Sequence, residues 1–344
     1  MKRYRNLWNK VVDLENLKAA HHAARKGKAF YTEVQEVDAF EDEFLLELQS
    51  ELVRGRFTTS KYQVEKRFDG RKLRTIHKLP YYPDRIVQHA LVQVCEPIWK
   101  GCFIRDTFQS ITGRGTHDAR KRVQKHVLGN PRLYALKFDI RKYYPSIDNE
   151  ILKQKIRRKI KCQRTLRLID NIIDSTSGLP IGNYTSQYFG NLYLSDFDWW
   201  VKQELKPKAY FRYCDDLVML CDSAFEGHNL KNKAFAKLEN EYKLDIKDNW
   251  QVFPVDKRGL DFVGFVFRSD GVRLRKGIAE GFKNKCAAIK KNEQSMTPFE
   301  IVNGLGSYWG WCKHSDSKKL WSSNVNTQVR SAVSENKNAM KEMQ

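Results

Sequence analysis

Tyr210-Phe211-Arg212-Tyr213-Cys214-Asp215-Asp216-Leu217-Val218-Met219-Leu220 sets two adjacent acids between two apolar runs. Apolar run, short polar break, apolar run is the pattern of a tight hairpin, and here it presents two carboxylates at the end of an otherwise buried sheet. Most Asp-Asp pairs sit in surface turns or at helix starts, but turn acids of that kind rarely carry two apolar arms. Crowding two like charges is costly unless a cation neutralises them. A divalent metal is the simplest such cation, and metal held by paired aspartates implies phosphoryl or nucleotidyl transfer.

A third carboxylate upstream gives that reading its geometry. In the stretch from Tyr134 to Ile140, Tyr134, Leu136, Phe138 and Ile140 alternate with Lys137 and Asp139. The alternation predicts a half-buried strand that ends in an acid. Two metals about 3.5–4 Å apart need bridging carboxylates on rigid elements. Asp139 on one strand and Asp215 and Asp216 on a neighbouring hairpin would supply them, with the Ile140 carbonyl as a further oxygen. Mg²⁺ suits a few carboxylates completed by water and substrate phosphates. Between the acids, Gly178-Leu179-Pro180-Ile181-Gly182 reads as a loop and Thr185 to Leu194 as a helix with one apolar side. Such an element brings backbone close to a nucleotide or a template base.

In this order and spacing the segments resemble a reverse transcriptase. Phe138-Asp139-Ile140 followed by Tyr143-Tyr144-Pro145-Ser146-Ile147-Asp148 is similar to the first catalytic motif of that family. Gly178 to Gln187 resembles its template-contacting motif, and Tyr213-Cys214-Asp215-Asp216 its Y-x-D-D box. Lys72-Leu73-Arg74-Thr75-Ile76 with Asp84 to Leu91 looks like the fingers motif of bacterial and group II intron enzymes. Gly259 to Phe265 resembles the primer-grip strand, and Arg273-Leu274-Arg275-Lys276 looks like the opening of the thumb. The likeness runs from about residue 55 to 315. Group II intron enzymes carry Q-G-x-x-x-S-P in the middle motif, whereas Ile181-Gly182-Asn183-Tyr184-Thr185-Ser186-Gln187 resembles the reverse transcriptases of diversity-generating retroelements. Tail residues Gly306 to Asp316 resemble that group's short thumb. A stand-alone antiviral reverse transcriptase working with a noncoding RNA is the competing subgroup.

The resemblance implies an α+β right-hand polymerase fold with fingers, an antiparallel-sheet palm and a short helical thumb. Its boundaries would be 1–130 for N-terminal helices and fingers, 131–270 for the palm with a basic helical segment over 151–175, and 271–344 for thumb and tail. It implies Asp139, Asp215 and Asp216 as catalytic, with Asp216 the less direct ligand of two Mg²⁺ ions for which Mn²⁺ substitutes. Lys72 and Arg74 would hold the incoming dNTP, and Tyr144 would bar a ribose 2′-hydroxyl. Ile181 and Gln187 would face the nascent pair, an aliphatic Ile181 loosening the geometric check at template adenines. Gly182, Ser186, Tyr213, Phe262, Gly264, Arg273 and Arg275 would line the primer and template. Many relatives have a lysine where Trp250 stands, so Lys247 is the nearest substitute as general acid. Expected partners are a structured template-repeat RNA, the RNA–cDNA duplex and a small basic helical accessory oligomer. No endonuclease extension is expected after the thumb, which would leave target cutting to other proteins.

Composition agrees. Sixty-two Lys and Arg against 41 Asp and Glu give a formal charge of +21, which favours a polyanionic partner. Lys153, Lys155, Arg157, Arg158, Lys159, Lys161, Arg164 and Arg167 fall in a stretch, Ile151 to Ile169, that has no acid. Interleaved apolar residues predict helices with one side packed and the other side touching phosphates. Arg114 to Lys125 would approach the template similarly. Helices are expected over Met1–Lys28 and Glu36–Gly55, and the polar end from Ser331 onward would fray. The seven scattered cysteines include no C-x-x-C pair, which argues against zinc and for reduced thiols. His21-His22 reads as helix surface. No apolar run follows the basic start and none is long enough to span a bilayer, so a cytoplasmic protein with no membrane partner is expected.

Overall fold

Leu45, Leu48 and Leu52 recur at helical spacing, and all three are buried on one stripe of a helix that stops where Gly55 turns left-handed at φ 69°. The computed structural model describes residues 3–70, 72–292, 295–326, 329–330 and 333. The polar end from Ser331 onward, Val333 apart, lies outside the described residues, as do Met1 and Lys2. Along the chain come α1 (Trp8–Val11), α2 (Leu14–Ala24), α3 (Thr32–Ala39), α4 (Glu41–Arg54), β1 (Gln63–Asp69), β2 (Lys72–Lys78), α5 (Ile86–Lys100) and β3 (Thr107–Phe108). Next are α6 (Thr116–Val127), β4 (Tyr134–Asp139), α7 (Asn149–Arg157), α8 (Gln163–Asp174), α9 (Tyr184–Tyr193) and α10 (Ser195–Trp200). The hairpin β5 (Ala209–Tyr213) and β6 (Asp216–Cys221) leads to α11 (Ala224–Tyr242), β7 (Gln251–Pro254) and α12 (Val255–Arg258). Strands β8 (Leu260–Phe262), β9 (Phe265–Arg268) and β10 (Gly271–Leu274) precede α13 (Lys276–Asn292), α14 (Pro298–Lys313) and α15 (Lys318–Asn324).

Two compact units interleave along this order. One comprises 1–110, 139–206 and 232–249; the other comprises 111–138, 207–231 and 250–344. The sequence-ordered division at 130 and 270 therefore differs from the packing units, because strands distant in sequence pair within one sheet.

In the first unit α5 is the central helix. Ile86, Val87, Ala90, Leu91, Cys95 and Trp99 are all buried, with α2 and α9 packed against it. The single helix expected over Met1–Lys28 is two helices separated at Val12 and an extended Asp13. The helix expected over Glu36–Gly55 is interrupted at Phe40, whose φ −130° and ψ 43° are not helical. His21, read as surface, is fully buried. One of its ring nitrogens lies 2.8 Å from an Asp38 oxygen and the other 2.8 Å from the Tyr81 hydroxyl. Its burial is thus compensated by partners 17 and 60 residues away.

In the second unit β5, β6, β4 and β7 lie side by side. β5 and β6 pair antiparallel from Ala209↔Leu220 to Tyr213↔Asp216, and β4 and β7 from Tyr134↔Pro254 to Lys137↔Gln251. Phe211 and Leu217 to Leu220 are fully buried, which explains the two apolar arms of the hairpin. The stretch expected as one primer-grip strand is a hairpin. Val263 (φ 45°) and Gly264 (φ 87°) form its turn, joining β8 to β9. The thumb-opening residues also differ from expectation: Arg273 and Leu274 end β10, and helix begins only at Lys276. Phe262, Phe265 and Phe267 are fully buried, and the Trp311 ring lies 5.1 Å from that of Phe265.

A Cβ at Gly264 would lie 2.7 Å from the Trp311 ring. Gly264→Ala therefore combines left-handed strain with overpacking and should destabilise by about 2–4 kcal/mol in urea titration. Gly277→Ala, whose Cβ would meet open space, should be neutral or slightly stabilising in the same measurement.

Candidate active site

Tyr213↔Asp216 is the last pair of the β5–β6 ladder, so the turn consists of Cys214 and Asp215 alone. Cys214 adopts φ 58°, the left-handed value that two-residue hairpin turns require. Asp215 thus occupies the turn and Asp216 starts β6. Beneath them Arg212 is fully buried and donates from Nη1 to the Cys214 carbonyl at 3.2 Å. A guanidinium is costly to bury unless its donors are bonded. Here it supports the turn with a positive charge. The sequence reading passed over Arg212; its signal was a lone cation inside an apolar strand.

Lys137 on β4 donates to Asp216 Oδ2 at 3.0 Å and to the Asp261 carbonyl, with its ammonium 5.9 Å from the Phe262 ring. Arg275 Nε donates to Asp261 Oδ1 at 2.7 Å. A lysine therefore ties the acidic hairpin to β8, and an arginine continues the chain of charge toward α13. This role was also missed, although Lys137 stood on the same face as Asp139. Phe262, expected along the primer, is fully buried and supports β8 from within. Tyr213 is half-buried, and burial raises its hydroxyl pKa. Arg273 is exposed and paired with Asp270 at 2.9 Å. Trp250 holds the Lys231 ammonium 4.4 Å from its ring.

In the first unit Asp139 follows Phe138 at the end of β4. The Lys247 N–H donates to the Asp139 carbonyl at 2.9 Å and the Arg141 N–H to the Asp245 carbonyl at 2.8 Å, around an Ile140↔Ile246 bridge. That bridge uses the carbonyls of Asp139 and Asp245, not that of Ile140. Lys247 Nζ lies 3.6 Å from Asp139 Oδ1, so the lysine read as substitute general acid stands against this carboxylate. The Tyr143 hydroxyl donates to the Gly190 carbonyl at 2.6 Å. A Cβ at Gly190 would meet Tyr144 Cε1 at 3.1 Å and Tyr143 Cε1 at 3.5 Å, so both rings rest on α9. Tyr143 is buried there and Tyr144 half-buried.

The loop before α9 lies against β2, which carries the exposed Lys72 and Arg74. The His77 N–H donates to the Ile181 carbonyl at 2.8 Å. Gly182, at φ 136°, leaves its missing Cβ 2.1 Å from the His77 carbonyl, so any side chain there would displace the loop. Gln88, also missed, accepts from the Tyr184 N–H at 2.8 Å and the Thr185 N–H at 3.3 Å, filling the unsatisfied start of α9. Ser186 is buried and donates to the Pro180 carbonyl at 2.8 Å; it shapes the loop from inside instead of reaching outward. Ile181 is half-buried and Gln187 exposed.

The donor set read from the sequence is carboxylates and a carbonyl, hard oxygens that suit Mg²⁺ or Mn²⁺ better than a thiol-seeking metal. Among the described residues the seven cysteines are all free thiols. The basic stretch is less uniform than its sequence suggested. Lys153 pairs with Glu150 and Asp174, Lys155 with Asp196, Arg157 with Asp170 at 2.6 Å and Arg158 with Asp196 at 3.1 Å. Half of its cations are thus bound to acids of this chain instead of awaiting phosphate. No helix among the described residues is long and apolar enough to cross a membrane.

The family described as "Reverse transcriptase (RNA-dependent DNA polymerase)" matches residues 65–267. Protein YkfC of Escherichia coli (strain K12) is 23% identical over 232 residues, 54% of this chain and 61% of that protein. The apo telomerase of Candida tropicalis superposes with a TM-score of 0.50 at 11% identity, over 78% of this chain and 66% of the telomerase chain. The chain therefore spans less than two thirds of either relative's length, and the telomerase likeness is one of fold.

Lys137→Met would remove the positive charge beside Asp216. Affinity for Mn²⁺, titrated by electron paramagnetic resonance, should rise several-fold, up to about tenfold for a partly solvated pair. Unchanged or weaker affinity would show that Lys137 is no counter-charge to a cation site.

Proposed function

Because the chain belongs to the reverse transcriptase (RNA-dependent DNA polymerase) family, with the match covering residues 65–267, we propose that it copies an RNA template into DNA from dNTPs. The observation that carries this reading is the two-residue turn of Cys214 and Asp215, which sets Asp215 and Asp216 at the mouth of a buried, largely apolar hairpin. Asp139, Asp215 and Asp216, with the Ile140 carbonyl, hold two Mg²⁺ ions, for which Mn²⁺ substitutes. When bound, such ions supply the charge that lowers the pKa of a primer 3′-hydroxyl and neutralises departing pyrophosphate.

The remaining roles belong to side chains. Lys72 and Arg74, exposed on β2, hold the triphosphate by charge-assisted hydrogen bonds, Arg74 in a bidentate manner. Tyr144, resting on Gly190, presents its ring to the sugar and excludes a 2′-hydroxyl. Lys247 stands where it can hold Asp139 in place or deliver a proton to pyrophosphate. Gly182, Tyr213, Gly264, Arg273 and Arg275 follow primer and template, while Ser186 and Phe262 support them from beneath. Within the family, the Ile181-Gly182…Ser186-Gln187 pattern favours an enzyme of a diversity-generating retroelement. Such an enzyme copies a template-repeat RNA with errors at adenines, for rewriting of a variable gene, and works with a small basic helical accessory oligomer. Half-exposed Ile181 and exposed Gln187 are the residues that would set that fidelity.

Primer extension on a defined RNA template with Mg²⁺, sequenced deeply, tests both levels. Asp139→Asn and Asp215→Asn should each lower extension by at least about a thousandfold while RNA affinity changes little, as expected for groups acting on the reacting charges. Retained extension would remove the acids from catalysis. Errors concentrated opposite adenines support the diversity-generating reading; faithful or repetitive products favour the antiviral one. Tyr144→Ala should raise ribonucleotide incorporation at least tenfold in the same assay, and unchanged sugar discrimination would remove the gate.

A further inference from the structure

Four of the eight cations between Ile151 and Ile169 are neutralised by this chain's own acids, but Arg164 and Arg167 on α8 are not. Together with Arg54 at the end of α4 they line a cavity of ≈390 Å³ within the first unit. None of the three guanidiniums makes a side-chain hydrogen bond or ion pair among the described residues, and no carboxylate lines the cavity. Three like charges around one hollow repel one another, so an anion entering it would be held by all three. Thr58 and Asn171 also line it, Asn171 accepting from Thr59, and Trp8, Leu52, Val53, Phe57 and Leu168 form an apolar and aromatic wall. Trp8 is 8% exposed, and its indole N–H has no acceptor among the described residues.

We propose that this cavity is a binding site for one nucleotide of a single-stranded RNA. The arginines take the phosphate, and the base lies on the apolar wall beside Trp8 and Phe57. A bare phosphate would use the guanidiniums and leave that wall unused, and the volume is within the range of small-ligand pockets, about 300–1,000 Å³. A duplex keeps its bases stacked inside, whereas single-stranded RNA can turn a base out onto an aromatic or guanidinium surface. The site shares no residue with the acids, β2 or the loop before α9, so it would hold RNA apart from the nucleotide being copied. That the anion belongs to RNA rests on the polymerase reading; the demand for an anion does not.

The test uses the full chain carrying Asp215→Asn, so that binding is read without synthesis, and a fluorescein-labelled 12-nucleotide single-stranded RNA followed by anisotropy. Arg164→Ala with Arg167→Ala should weaken binding about tenfold and flatten the salt dependence by about 0.7, the value for the one phosphate held there. Lys153→Ala with Arg157→Ala, whose charges are already neutralised, should leave that slope unchanged. Equal slopes for the two pairs, with far-UV circular dichroism showing both folded, would overturn the site. Adenosine monophosphate should compete better than inorganic phosphate; equal competition would overturn the base-binding wall. RNA containing 4-thiouridine should crosslink within residues 52–58 or 163–171, and crosslinks confined to other segments would count against the cavity. Because no step needs synthesis, failure of the polymerase reading would appear separately, as absent extension by the unsubstituted chain.

Discussion

Two carboxylates on consecutive residues, at the end of strands whose other side chains are mostly buried, set the electrostatic problem that the surrounding structure answers. At about 4 Å two unit charges repel by about 4 kcal/mol under an effective dielectric near 20. The turn keeps both acids at one end of the hairpin, since Cys214 in the left-handed region leaves just two residues between the paired ends of β5 and β6. Compensation comes from the sheet itself. Arg212 lies buried under the turn and bonds its backbone, and Lys137 on β4 reaches Asp216 at 3.0 Å. Lys137 also bonds the Asp261 carbonyl, and Arg275 holds the Asp261 carboxylate, so the same compensation fixes β8 and the approach to α13.

The parts of this arrangement that are local in sequence were legible there. Alternation from Tyr134 to Ile140 marks β4, two apolar arms around Asp215-Asp216 mark the hairpin, and a Gly-Pro loop before an apolar-sided run marks α9. Each depends on side chains a few residues apart. The missed features depend on partners distant in sequence. Lys155 looked like a phosphate ligand because Asp196, its acid, lies 41 residues on. His21 looked exposed because Asp38 and Tyr81, which satisfy both ring nitrogens, belong to other elements. Gln88 gave no local signal, since its task is to fill the start of a helix 96 residues later. Val263 misled in another way: a β-branched residue is a poor choice for a left-handed turn, so the hairpin at Val263-Gly264 read as one strand.

The formal charge of +21 is therefore not an even coat. Lys155 is half-buried and paired, Arg212 is wholly interior, and Arg157 and Arg158 are bound to neighbouring acids. Cations spent on internal compensation contribute little field at a distance, because their partners cancel them within a few ångströms. What a polyanion meets is the remainder, the arginines and lysines without an acid beside them.

The same accounting bears on the acids. Asp216 has Lys137 at 3.0 Å and Asp139 has Lys247 at 3.6 Å, so each stands beside an ammonium group. An acid held this way adds little standing negative charge to the surface around it. A divalent cation held by either carboxylate would compete with its lysine for that charge. A lysine beside an acid can thus act as its counter-charge and, were a cation to displace it, would be the nearest ammonium for an incoming phosphate. Arginine would serve that exchange less well, since its fork holds a carboxylate with two bonds and releases it reluctantly.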